Sequence, residues 1–148
     1  MRIIAGLYRG RKLKEFKGND VRPTSDRARE ALFNILGNIS GDSFLDLYCG
    51  TGAVGLEAAS RGAGKVTLVD LSKESVALSR DNAGTLNAGV QTVNSDALSF
   101  VTRLKEKYDY IFLDPPYAAN AEDVLAAIAK NEILKNAYII YEHSGESK

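Results

Sequence analysis

Asp114-Pro115-Pro116-Tyr117 follows directly on Tyr108-Asp109-Tyr110-Ile111-Phe112-Leu113, a run with the apolar and aromatic content of a buried strand. Two consecutive prolines cannot donate to a sheet ladder, so the strand must end there. Pro116 also holds Pro115 in an extended conformation. The product is a stiff loop at a strand's carboxyl end, with a carboxylate on one side and an aromatic ring on the other. Open α/β sheets bind their ligands at such ends. Taken alone, Asp-Pro-Pro is equally an ordinary loop.

A second run with chemical content is Asp46-Leu47-Tyr48-Cys49-Gly50-Thr51-Gly52-Ala53-Val54-Gly55. Gly50, Gly52 and Gly55 match G-x-G-x-x-G, placed after a strand and opening a helix. Glycine there lets the backbone turn sharply and approach a ligand. The spacing alone suits a dinucleotide pyrophosphate. Asp46 favours S-adenosylmethionine (SAM) instead, because an acid at the strand end serves the methionine end of that cofactor, whereas phosphates have no use for a carboxylate so close. Tyr48, Cys49, Gly50, Thr51 and Gly52 are then the cofactor turn. Asp70, with Leu71 beside it, ends Val66-Thr67-Leu68-Val69-Asp70, and its two acceptor oxygens suit a ribose diol. NAD needs that contact as much as SAM does. Asp96, followed by Ala97, could accept from an adenine amino group or merely cap a helix. The order of these residues raises them all: Asp46 with Gly50 and Gly52, Asp70, Asp96 and Asp114 each sit at the end of a successive strand.

The elements that must position them alternate from Ser43 onward. Strands are expected at 44–48, 66–70, about 90–93, 110–113 and 138–141, and helices at about 53–61, 73–86, 97–107 and 121–130. Ser72, Asp96 and Asn120 suit the N-caps of the last three helices. Strict alternation implies right-handed crossovers, hence a mainly parallel α/β sheet with helices on both faces. Before this core, Gly6 and Gly10 allow a tight turn, so a β-hairpin carrying Arg9, Arg11 and Lys12 is expected over residues 2–16. Arg22-Pro23-Thr24-Ser25-Asp26 reads as a helix start with Thr24 or Ser25 as cap. Ala28, Ala31, Leu32, Ile35 and Leu36 then form a core-facing stripe, with Gly37 ending the helix.

Composition sets the bounds. A length of 148 residues, 45% hydrophobic and 26% charged, is that of one soluble globular domain. No apolar run approaches a membrane span. One cysteine, Cys49, and one histidine, His143, exclude an internal disulfide and a Cys/His metal cluster, and the cysteine usage suits a reducing cytoplasm. Zero net charge conceals an asymmetry: residues 1–30 carry nine Lys/Arg against four acids, and the rest carry 10 against 15. A basic end on an acidic body suggests that one end of the molecule contacts a polyanion.

The Asp114–Tyr117 loop resembles motif IV of amino-methyltransferases, which holds an exocyclic NH2 group for methylation. With Arg2-Ile3-Ile4-Ala5-Gly6, Arg9-Gly10-Arg11, Arg22-Pro23-Thr24-Ser25-Asp26-Arg27, Arg29-Glu30-Ala31-Leu32-Phe33-Asn34 and Asp46–Gly55, nearly the whole chain is similar to the RsmD family. These are SAM-dependent 16S rRNA (guanine-N2) methyltransferases. The resemblance implies a Rossmann-like class I methyltransferase domain over 1–148, with a basic RNA-contacting hairpin and helix at 1–40 and a SAM-binding core at 41–148. It implies 16S rRNA in the small ribosomal subunit as substrate and partner, and a cytoplasmic setting. In that reading Asp114, Pro115, Pro116 and Tyr117 hold and stack on the base, while Arg9, Arg11, Lys12, Arg22 and Thr24 grip RNA. One departure stands out. Class I sheets usually have seven strands, and this sequence stops shortly after its fifth; the expectation is a fragment, a short member of the family, or a protein that covers its exposed edge as a homodimer.

Other conspicuous residues receive plain roles. Cys49 is a small loop residue, His143 is solvated or packed, and Glu142 stands at a strand end beside the site with no role assigned. Rival functions are adenine-N6 or protein-glutamine methylation, an NAD-dependent oxidoreductase, and a non-catalytic SAM-binding assembly factor.

Overall fold

The computed structural model describes residues 1–16, 25–116 and 121–142. Helix α1 (Asp26–Leu36) precedes β1 (Ser43–Leu47), α2 (Ala53–Ser60), β2 (Lys65–Asp70), α3 (Lys73–Leu86), β3 (Gln91–Asn94), α4 (Ala97–Arg103), β4 (Tyr110–Leu113), α5 (Ala121–Lys130), a 3-10 turn at Glu132–Leu134 and β5 (Tyr138–Tyr141). The strands form one sheet in the order β3-β2-β1-β4-β5, every neighbouring pair parallel. The chain therefore winds outward from β1 to β3, returns across the sheet, and winds outward again from β4 to β5. The switch point lies between β1 and β4, where doubly wound sheets open a crevice.

Side chains of a strand alternate between faces, and β1 shows what that does here. Phe44 points into one core with Phe33 of α1, Leu56 and Ala58 of α2 and Leu86 of α3. Leu45 and Leu47 point into the other with Val101 of α4 and Val124 and Ile128 of α5. Both faces are thus covered, as a parallel sheet requires. Ser25, Ser72 and Asp96 cap α1, α3 and α4, accepting from the backbone N–H of Ala28, Ser75 and Ser99. Asn120, expected to cap α5, lies outside the described residues. Helix α4 is shorter than expected, because Leu104 leaves it in an extended conformation.

Two expectations fail in instructive ways. The N-terminal hairpin is reduced to a single antiparallel bridge between Arg2 and Lys12. Its ladder is brief, Ile3 N donating to Arg11 O at 2.9 Å and Gly10 N to Ile3 O at 2.8 Å. Residues 4–9 are instead drawn onto α2: Leu7 N donates to Ser60 O, Tyr8 N to Ser60 Oγ, and Ile4 N and Ala5 N to the Glu57 carboxylate. Strand pairing loses because α2 offers those N–H groups better acceptors.

The face of α1 is also rotated. Arg29 and Phe33 are buried, whereas Ala28, Ala31 and Ile35 are exposed, Ile35 by 75%. The cause is an ion network that apolar periodicity does not register. Arg29 Nε donates to Glu57 Oε1 at 3.2 Å, and its guanidinium also bonds Asp26 and the Arg2 carbonyl. Arg61 closes the other side, its Nε donating to Glu57 Oε2 at 2.9 Å. A buried charge is tolerated when paired and fully hydrogen-bonded. Arg29 and Glu57, both wholly buried, meet that condition and lock the N-terminal segment, α1 and α2 together.

Candidate active site at the switch point of the sheet

At the carboxyl edge the registers of neighbouring strands align Val69, Leu47, Leu113 and Tyr141 in one row. One residue further on, the row reads Asp70, Tyr48, Asp114 and Glu142, with Asn94 opposite Asp70. Cys49 N still donates to Val69 O and Glu142 N to Leu113 O, so the row is held by ladder-type bonds. Of the expected site residues, Tyr48, Asp70 and Asp114 are therefore brought to one edge.

The turn after β1 is strained and tightly tied. Tyr48 takes a positive φ of 61°, which a bulky side chain rarely adopts. Such outliers persist where surroundings over-determine them, often at functional sites. Gly50 N donates to Asp70 Oδ2 and Ser72 N to Asp70 Oδ1, both at 2.9 Å. Each oxygen keeps a second acceptor position for a diol. Asn94 braces the same corner by donating to the carbonyls of Asp70 and Leu71. Leu71, 70% exposed, offers an apolar surface beside that carboxylate. Asp96 Oδ2 accepts from Ser99 N and Oγ, so its capping role is real and does not preclude a ligand. Ala97 behind it is buried.

Asp46 lies under the turn. Its Oδ2 accepts from Gly55 N at 2.9 Å, and its Oδ1 is buried with no partner among the described residues. A side chain at Gly55 would overlap Leu68 and crowd Asp46, so the helix can approach the strand only with glycine there. Burial pushes the Asp46 carboxyl up to about 8, assisted by the nearby charges of Asp114 and Asp70 and opposed by the Gly55 N–H. Its proximity to Asp114 ties the β1 turn electrically to the β4 loop. Burial likewise pushes the Cys49 thiol well above its ordinary value, with Asp46 and Asp70 adding to the effect. A thiol so disposed is a poor nucleophile, and its neighbour is Ser79.

This donor set fits SAM. The orphaned Oδ1 of Asp46 calls for a cationic donor such as the methionine ammonium. At Gly50 an added Cβ would make only ordinary contact among the described residues, with Phe16 at 3.9 Å, so no close contact crowds the backbone of the turn there. Asp70 suits the ribose, and Leu71 with Asp96 suits a purine.

Asp114 and Pro115 are half-buried and Pro116 exposed, while Tyr117 lies outside the described residues. Arg9, Arg11 and Lys12 are exposed; Arg11 also donates to Thr85 O at the end of α3. Arg22, Thr24 and His143 lie outside the described residues. Sequence reasoning missed Asn82, buried in α3, which bonds Lys14 N and O and donates to Thr51 O. It stitches the basic segment to the cofactor turn. The available signal was an asparagine in mid-helix, where it is disfavoured without a hydrogen-bonding purpose. Among the described residues no group of three or more His, Cys, Asp or Glu could hold a metal, and no helix is long and apolar enough to cross a membrane.

The family described as conserved hypothetical protein 95 matches residues 1–148. The ribosomal RNA small subunit methyltransferase D of Haemophilus influenzae is 37% identical over 100% of this chain and 80% of its own length. A hypothetical protein of Thermus thermophilus superposes with a TM-score of 0.85 at 30% identity, over 100% of this chain and 88% of that one. A SAM-dependent methyltransferase from Agrobacterium tumefaciens superposes with a TM-score of 0.70 at 26% identity, over 90% of this chain and 48% of that one. A match that runs from the first residue to the last makes the chain a member of the conserved hypothetical protein 95 family, which is the RsmD family its motifs resemble.

Proposed function

We infer that this chain is a SAM-dependent methyltransferase of small-subunit rRNA and that the methyl acceptor is the exocyclic N2 amine of a guanine. What supports the reading most is the placement of Asp114 and Pro115, at the end of β4 and one register row from the turn after β1. SAM, when bound, supplies an electrophilic methyl group. The guanine N2 lone pair is delocalised into the ring, so the amine is a poor nucleophile until it pyramidalises. The Asp114 carboxylate and the Pro115 carbonyl accept its two N–H bonds and turn the lone pair toward the cofactor turn. The proline pair keeps those acceptors fixed, so little reorganisation accompanies the reaction. Tyr117 stacks on the base, which must leave structured RNA to reach the pocket. Positioning then supplies most of the rate.

The test is methyl transfer from labelled SAM to small subunits lacking the modification, with mass mapping of the product nucleotide. Asp114→Ala should lower kcat by about 100-fold or more, the scale of losing one positioned acceptor in a dry site. Activity within tenfold of wild type would remove Asp114 from its role. A product methylated at adenine N6 would overturn the guanine reading.

A further inference from the structure

We propose that Glu142 is the residue that selects guanine, its carboxylate accepting the base's N1–H beside the amine held by Asp114. The inference rests on the guanine-N2 reading and extends it to how the base is chosen.

Leu113 pairs with Tyr141, so Asp114 and Glu142 are the next residues along two adjacent parallel strands. Glu142 N donates to Leu113 O at 2.8 Å, which holds the residue against the root of the Asp114 loop. Adjacent strands lie about 4.8 Å apart. Both residues stand an odd number of positions beyond Leu113 and Tyr141, hence on the opposite face of the pleat from those side chains. Asp70 and the cofactor turn lie on the other side of Asp114 in the same row. Glu142 therefore flanks the amine-holding loop on its far side, where the remainder of a Watson–Crick edge must lie.

The chemistry of that edge supplies the rest. Asp114 and Pro115 recognise an NH2 group, and every amino-purine presents one. What distinguishes guanine next to its amine is N1–H, a donor; 2-aminopurine and adenine present a bare nitrogen there, an acceptor. An ionised carboxylate can only accept, so it rewards the first and repels the second. Glu142 is exposed, and its carboxylate has no hydrogen bond or ion pair among the described residues. Glutamate is one methylene longer than aspartate, which lets a residue set back on β5 reach the neighbouring ring atom. A site built to pair a substrate N–H discriminates strongly against analogues that lack it, because a polar group is then left unpaired.

The experiment changes the partner on each side of the contact: 2-aminopurine lacks guanine's N1–H together with its O6, and glutamine replaces one carboxylate oxygen with NH2. Small subunits are reconstituted with 16S rRNA that carries either guanine or 2-aminopurine at the position wild-type protein methylates. Initial rates from labelled SAM are read for wild type and Glu142→Gln. Wild type should prefer guanine by at least tenfold. Glutamine can turn its NH2 toward a bare N1, so Glu142→Gln should lose about tenfold on guanine and gain on 2-aminopurine. That gain cannot come from a misfolded variant. Equal rates on both bases for wild type, or an unchanged ratio in Glu142→Gln, would overturn the assignment. If wild type methylates no guanine N2 at all, the parent reading fails first and this one with it.

Discussion

At the scale of single residues, the most informative group is the Asp46 carboxyl, sealed under the turn that follows β1. Its value near 8 stands above the ordinary 3.8, chiefly because burial penalises the charged form. The folded state therefore binds this proton more tightly than the unfolded chain does. The resulting stabilisation is fully present below about pH 4 and is lost as pH rises through 8. Asp46→Asn removes the titration while keeping an acceptor for Gly55 N–H. The stability of wild type relative to Asp46→Asn should thus fall across pH 4 to 8, read from urea midpoints in the absence of SAM. Parallel curves would show that Asp46 does not titrate there. SAM should flatten the wild-type decline, since an ammonium beside Oδ1 favours the ionised form. The same residue explains why a strand end can carry a carboxyl group at all: one oxygen holds Gly55 N–H, and burial favours the protonated form.

At the scale of elements, the Arg29–Glu57–Arg61 network decides how the helices sit. Glu57 accepts two backbone N–H groups from residues 4 and 5 and two guanidinium bonds. Glu57→Ala would leave Arg29 buried without its main counter-charge, and removing one partner of a buried pair costs about 3–5 kcal/mol. The denaturation midpoint should fall accordingly. Replacing Arg29 and Glu57 together with Met and Leu should recover most of that loss, and no recovery would mean that the cost lies in the Ile4 and Ala5 bonds. The network also marks the limit of what was legible. The core strands β1, β2 and β4 read correctly because two-sided burial makes them near-continuous apolar runs, and Asp70 and Asp114 read correctly at strand ends because each closes such a run. The α1 face did not, because hydrophobic periodicity scores Arg29 as solvent-facing and Ile35 as core, and nothing local announces Glu57 as a partner 28 residues away. Asn82 was hidden for the same reason: its meaning lies in Lys14 and Thr51, which only the fold brings to it.

At the scale of the molecule, an acidic body must take hold of a polyanion. The carboxyl edge of the sheet, with Asp70, Asp114 and Glu142 in one row, repels phosphate, so affinity has to come from elsewhere. We propose that Arg9, Arg11 and Lys12 provide it. They protrude from a segment anchored to α2 by Leu7 N and Ser60 O, and to α3 and the cofactor turn through Asn82. A grip so anchored positions the RNA relative to the methyl donor, rather than merely adding attraction. Phosphate contacts release counterions, and each one adds about 0.7–0.9 to the slope of log affinity against log salt. Replacing all three with alanine should therefore reduce the slope by about 2 for small-subunit rRNA, with affinity converging on wild type at high salt. Arg11 spends part of its donor capacity on Thr85 O, so its single replacement should lower the slope less than that of Arg9. SAM affinity should hold, because none of the three touches the turn after β1. A triple variant with wild-type slope would move the grip to another face, and one that also lost SAM would show the segment to be part of the cofactor site.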